Sequence, residues 1–204
     1  MAPDRGIEGQ TSICGRTYEE YLDMIMSFHG HVAPGVVLGG FMVELAWRHR
    51  PEGEFFDALC ETRACLPDAV QILTPCTIGN GWLRVINVGR FALSLYEKYS
   101  GRGARVFVDA VKMDPFPELK AWFFKLKPKK EQSFDVLMEE IRRAGVSVCG
   151  VEHVNLDPAF VTSHRRKGFI VCPSCGEAFP LEEGPVCGGC RGELPYLPRT
   201  GSRR

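Results

Sequence analysis

Four cysteines near the C-terminal end stand in two pairs, Cys172-Pro-Ser-Cys175 and Cys187-Gly-Gly-Cys190, each with two residues between its sulfurs. That spacing lets two thiolates of one tight turn face a single ion, and the neighbouring glycines admit the positive φ that such turns use. Two turns supply four soft ligands, the tetrahedral set that zinc takes in closed structural sites. Iron in a rubredoxin-like site would use the same ligands. A closed site has no open position for a substrate, so the module reads as a stabilising or binding element. Phe169, Ile170, Phe179 and Leu181 are available for its few apolar contacts.

A second group lies earlier, around Phe28-His29-Gly30-His31. Residues two apart diverge on a helix, but in a turn they can converge on one ion. Cys65 stands just before a helix start at Pro67, a position that can lower a thiol pKa. Cys76 opens the loop Cys76-Thr77-Ile78-Gly79-Asn80-Gly81, whose backbone N–H groups are candidates for cradling an anion. His29, His31, Cys65 and Cys76 are thus candidate ligands for a second zinc or another transition metal, with Asp68 behind them as a hydrogen-bonding support. The same residues sketch a thiol enzyme, with Cys65 as nucleophile, His29 or His31 as base and Asp68 as orienting group. Each signal also has a plain structural reading: a hydrogen-bonded turn, a small buried cysteine, a tight loop. Cys14, Cys60 and Cys149 have no companions and read as packing. His49, His153 and His164 read as structural or solvated, although His153 could approach the site.

The elements that must position these groups follow from the pattern. Thr17 and Glu20 have capping-box spacing and open a helix with an apolar stripe at Leu22, Ile25 and Met26, ending near Gly30. Pro34 opens a second helix, running to about His49, in which Gly39 and Gly40 imply close packing on another backbone. Residues 56–63 read as a strand, and Pro67 starts a short helix ending before Pro75. Residues 82–88, 91–98 and 104–111 read as strands, 116–126 and 133–144 as helices, and 147–156 as a last strand. Strict βαβ alternation is missing, which predicts an α+β fold: helices packed on a mostly antiparallel sheet, plus a small C-terminal zinc-ribbon domain. The boundary is expected at 166/167, with the core over 1–166 and the ribbon and tail over 167–204.

Composition supports a globular reading. The chain has 204 residues, 45% of them hydrophobic, and 25 Lys plus Arg balance 25 Asp plus Glu, so no global field points to nucleic acid or membrane. The local clusters Arg165-Arg166-Lys167 and Arg203-Arg204 read as solvated. With no secretory signal and no bilayer-length apolar run, a cytoplasmic location is expected. There the nine cysteines should be thiols or ligands.

The motifs Phe28-His29-Gly30-His31-Val32-Ala33-Pro34-Gly35, Ala64-Cys65 with Asp68-Ala69-Val70-Gln71, Leu73-Thr74-Pro75-Cys76-Thr77-Ile78-Gly79 and Gly89-Arg90 resemble, in order and spacing, the FmdE family of formylmethanofuran dehydrogenase components. The resemblance covers about residues 17–160, and some members carry a C-terminal zinc ribbon. It implies an α+β core, an intertwined homodimer, a polar pocket lined by the motif His, Cys and Asp positions, and an archaeal or anaerobic setting. Many members have Cys where Ala33 stands, Gly before the cysteine where Pro75 stands, Lys where Asn80 stands, and Asp and Lys at Asn87 and Arg90. Three readings follow. The first is a dimeric zinc-binding protein with a structural ribbon ion and a core pocket. The second is a Cys-dependent enzyme. The third is a non-enzymatic regulator or metal sensor whose ribbon meets protein or RNA. The sequence does not decide whether it is an enzyme.

Overall fold

The computed structural model describes residues 12–162 and 168–196, which divide into two compact units meeting in sequence at Val161/Thr162. The boundary expected at 166/167 and the cluster Arg165-Arg166-Lys167 lie outside the described residues, as do His164 and Arg203-Arg204.

In the larger unit, helix α1 (Tyr18–His29) starts at the predicted cap. The Thr17 side chain accepts from the Glu20 N–H, and the Glu20 carboxylate accepts from the Thr17 N–H. Helix α2 (Pro34–Arg48) is buried from Gly35 to Ala46, so it is the axis of the core rather than an amphipathic cover. Strand β1 (Phe56–Cys60) leads through a loop to α3 (Leu66–Leu73), then to β2 (Leu83–Val85). Strands β3 (Ala92–Glu97) and β4 (Arg102–Val108) follow, then α4 (Pro117–Phe123), α5 (Phe134–Ala144), β5 (Cys149–Asn155) and α6 (Pro158–Thr162). The five strands form one sheet in the order β2-β1-β3-β4-β5. All neighbours are antiparallel except β1 and β2. A parallel pair needs a crossover, and α3 is that crossover. The α+β reading therefore holds, with α3 as its one βαβ-like exception.

Of the three glycines of α2, Gly39 and Gly40 give the close approach expected, but mainly to side chains rather than to another backbone. A Cβ on Gly39 would lie 2.7 Å from the Ala69 Cβ of α3, and one on Gly40 would lie 2.3 Å from the Tyr21 ring of α1. Tyr21 uses that closeness to donate its hydroxyl to the Val36 carbonyl at 2.7 Å. The strand expected over 56–63 ends at Cys60, and α6 was not foreseen, since five residues are too few to show a helical period.

The smaller unit is a hairpin of β6 (Phe169–Val171) and β7 (Ala178–Pro180), with Ile170 opposite Phe179. Of its four expected apolar contacts, Phe179 is buried and Ile170 half-buried, whereas Phe169 and Leu181 are exposed. So small a hairpin has too little core to close over every apolar side chain. Among the described residues, no helix is long and apolar enough to cross a membrane.

Candidate functional site

The first turn of the small unit follows β6. Cys172 N–H donates to the Glu177 carbonyl, and Gly176 N–H returns to the Cys172 carbonyl, both at 2.9 Å. In the second turn the N–H groups of Cys190 and Arg191 donate to the Cys187 carbonyl. Arg191 also donates to the carbonyls of Glu183 and Val186, fastening the segment between the turns, a role that spacing gave no sign of. These bonds bring the sulfurs of Cys172, Cys175, Cys187 and Cys190 within 4.8 Å of one another. Cys175 and Cys187 are 3.7 Å apart, far beyond a disulfide and close to the edge of about 3.8 Å in a tetrahedron with zinc–sulfur bonds near 2.3 Å. Backbone N–H groups, that of Cys187 foremost, bring the Cys172 thiol down to about 6. Hydrogen bonding with the Cys175 and Cys187 sulfurs pushes Cys190 up to about 12. Four thiols this close cannot all ionise without a cation between them, so the donor set fits a divalent metal.

In the core, Gly30 takes φ 86 at the end of α1 and turns the chain so that the rings of His29 and His31 lie 4.8 Å apart. His29 Nδ1 is 2.6 Å from an Asp68 carboxylate oxygen in the first turn of α3. That bond fixes the imidazole and leaves Nε2 to bind a metal or a proton. Cys65 caps the same helix in an uncommon way. Its φ of 52 and ψ of −46 form a positive-φ γ-turn, in which the Leu66 N–H donates to the Ala64 carbonyl. Such a turn is rare and strained in a residue with a side chain, and strain of this kind collects at functional sites. The Cys65 side chain presses on the first turn of α2: a Cβ on Gly35 would lie 2.8 Å from its sulfur and 2.9 Å from its Cβ.

Two expectations need correction. Burial, and then the charge of Asp68, raise the Cys65 thiol, overriding the lowering expected at a helix start. The loop after Cys76 has little to offer an anion. Its N–H groups at Thr77 and Trp82 donate to the Asn80 side chain, that of Ile78 to Gln71, that of Asn80 to Thr77, and that of Gly81 to the Ile78 carbonyl. Asn80, standing where the family usually has Lys, therefore builds the turn.

Cys76 is placed apart from the other candidates. Cys65 and Cys76 flank opposite ends of the eight-residue helix α3, which at 1.5 Å per residue separates them by about 12 Å. The Cys76 thiol is buried and donates to the Phe56 carbonyl at 3.3 Å. No cluster of three ligand atoms within 4.8 Å among the described residues includes either sulfur. Among the described residues only the four C-terminal cysteines gather three or more ligand atoms within 4.8 Å; His29, His31 and Cys65 do not, and what links them is Asp68, which bonds His29 and whose charge acts on Cys65. His153 does not approach them; it lies 6.4 Å from the ring of His49. Cys60 and Cys149 are buried, and burial pushes both thiols, and that of Cys14, up to about 12, as packing residues require.

One group went unforeseen. Glu61, at the end of β1, accepts two bonds from Arg105, at 2.6 and 3.0 Å, and one from Arg90 at 2.6 Å. Its carbonyl accepts from Val88 N–H at 3.0 Å. Glu61 thus ties the β2–β3 connection to the start of the Cys65 loop. Its partners stand 44 and 29 positions away in sequence, beyond any local signal.

Residues 28–156 match the family described as FmdE, molybdenum formylmethanofuran dehydrogenase operon. The chain belongs to this family. Residues 163–197 match the FmdE treble clef zinc finger, so the C-terminal ribbon is a finger of that description. The crystal structure of a tungsten formylmethanofuran dehydrogenase FmdE-like protein from Syntrophus aciditrophicus is similar at 49% identity and a TM-score of 0.83, covering 92% of this chain and 99% of that one. A probable S-adenosyl-L-methionine-binding protein of Archaeoglobus fulgidus is 36% identical over 91 residues, 41% of this chain. The chain spans 25% of that relative's length.

Proposed function

We propose that this FmdE-family protein is a two-site zinc-binding homodimer. The finger ion is structural, and a second ion, zinc or another transition metal, is held in the core by His29, His31 and Cys65. The observation that carries this reading is the Asp68–His29 bond beside a second histidine and a strained cysteine. A carboxylate on one imidazole nitrogen is the usual support for a metal on the other. The metal would supply the positive charge that the raised Cys65 thiol lacks, favouring its thiolate.

The remaining position of the core ion is taken by water or by a surface group of the second copy in the dimer. Phe28, adjoining His29, and Ile86 and Val88, beside the end of β1, are exposed apolar side chains that a second copy would cover. The thiol-enzyme reading is weaker, because Cys65 is held as a thiol and the loop amides are already bonded. Metal content of Cys65→Ser and His29→Ala variants tests the proposal: each should lose the core ion and keep the finger zinc. Retention of both ions by both variants would contradict it.

A second reading, with the finger as an interaction module, is favoured by the exposure of Phe169, Val171 and Leu181. Residues 168–204 carry four acidic and four basic side chains, so no net positive field draws RNA and a protein is the favoured partner. Deleting residues 168–204 should then abolish binding to a protein partner; binding undiminished by the deletion would refute this reading.

A further inference from the structure

At the far end of β1 from the metal corner lies a cavity of about 190 Å³ whose walls come from four separate segments. Trp47 from the end of α2, Phe56 from β1 and Trp82 from the approach to β2 supply aromatic surface, and the Trp47 and Phe56 ring centres are 6.1 Å apart. Glu54 and the buried Asp57 supply carboxylates, and Lys98 supplies the one cationic side chain in the lining. The volume is below that of a drug-sized site and suits a compact head group.

The protein's own cations show what these aromatic faces attract. The Arg50 guanidinium sits 4.3 Å from the centre of the Trp47 ring and 5.7 Å from that of Phe56, and the Lys98 ammonium sits 5.0 Å from the centre of Trp82. Aromatic faces are negative, and a cation within about 6 Å of a ring centre is held by that field. Two carboxylates at the same cavity add to it and disfavour an anion. An apolar wall desolvates an ammonium poorly compensated by hydrogen bonds but accepts a charge spread over methyl groups.

We propose that this aromatic and acidic cavity is a binding site for the head group of a small methylated onium cation, in which Lys98 is the internal competitor lying on Trp82. The ligand enters beside Trp82, replaces the Lys98 ammonium on the ring and is neutralised by Glu54 and Asp57. The lining includes Cys76, bonded to the Phe56 carbonyl, but none of His29, His31 and Cys65, so the site stands or falls independently of a metal held by those three.

The test is titration of the full-length protein with choline and with its neutral isostere 3,3-dimethylbutan-1-ol, followed by tryptophan emission and by ligand proton NMR. The same titrations are run on Trp82→Leu and Lys98→Met, the second removing the ammonium from the Trp82 face while keeping an unbranched side chain. Choline should saturate and bind about tenfold more tightly than the alcohol, the preference expected of cation–π and carboxylate attraction. Trp82→Leu should lose that preference, and Lys98→Met should tighten choline binding several-fold. Equal affinity for the two ligands, no saturation by choline, or weaker choline binding in Lys98→Met would overturn the proposal.

Discussion

Replacing Gly35 by alanine tests the packing that holds Cys65 in its strained turn. The new methyl would lie 2.8 Å from the Cys65 sulfur and 2.9 Å from its Cβ, both closer than side-chain carbons normally approach. The next atom, Trp122 Cη2, is at 3.7 Å, an ordinary contact, so the conflict is with Cys65 alone. Overpacking of this kind costs about 1–3 kcal/mol. Removing a helical glycine returns roughly 0.5–1 kcal/mol. The net loss is about 1–2 kcal/mol, or a melting temperature lower by roughly 2–8 °C for a unit of this size. In a Cys65→Gly background both clashing atoms are gone, and Gly35→Ala should then be neutral or slightly stabilising. The two changes should therefore couple by about 2 kcal/mol in a double-mutant cycle. All three tryptophans lie between residues 47 and 122, so their emission during urea unfolding reports the larger unit alone. Additive changes, or a stabilised Gly35→Ala single variant, would refute the argument that Cys65 is wedged against α2.

Glu61→Gln should destabilise the protein at pH 7 by about 3 kcal/mol in urea unfolding, because it breaks a nearly buried ion pair with Arg105. Arg105, and then Arg90, lower the Glu61 carboxyl, so its contribution is full above the ordinary carboxylate pKa and fades as pH falls through the lower folded value; the variant's acid limb should be flatter, and an unchanged limb would contradict this. Asn80→Ala removes three side-chain bonds of the Cys76 loop and should cost about 1–2 kcal/mol, with faster amide exchange at Trp82; Asn80→Lys should behave alike. Cys172→Ser should lower the zinc content by one ion per chain and remove amide protection from the β6–β7 hairpin, which has little else to hold it.

Much of this was legible in sequence because the signals are local. The two Cys-x-x-Cys turns, the Thr17–Glu20 cap, the Pro34 start and the Gly39–Gly40 contact each depend on neighbours within a few residues, and each is found as expected. The convergence of His29 and His31 followed from the turn at Gly30. The position of Cys76 did not, because it depends on α3 crossing between two parallel strands, and a pattern of strand-like and helix-like runs does not fix that pairing. The γ-turn at Cys65 carries no compositional mark, since the residue at positive φ is not glycine. The Glu61–Arg105 pair joins β1 to β4, a partnership that the sheet order creates. The exposure of Phe169 and Leu181 reflects how little surface a short hairpin can bury, which the apolar pattern alone overstates.

The most direct test of the two-site account is elemental analysis of protein purified without added metal. About two transition-metal ions per chain, falling to about one in Cys65→Ser while the finger zinc remains, is the predicted result. About one ion per chain, carried by Cys172, Cys175, Cys187 and Cys190 and unaffected by changes at His29, His31 or Cys65, would contradict a metal centre in the core.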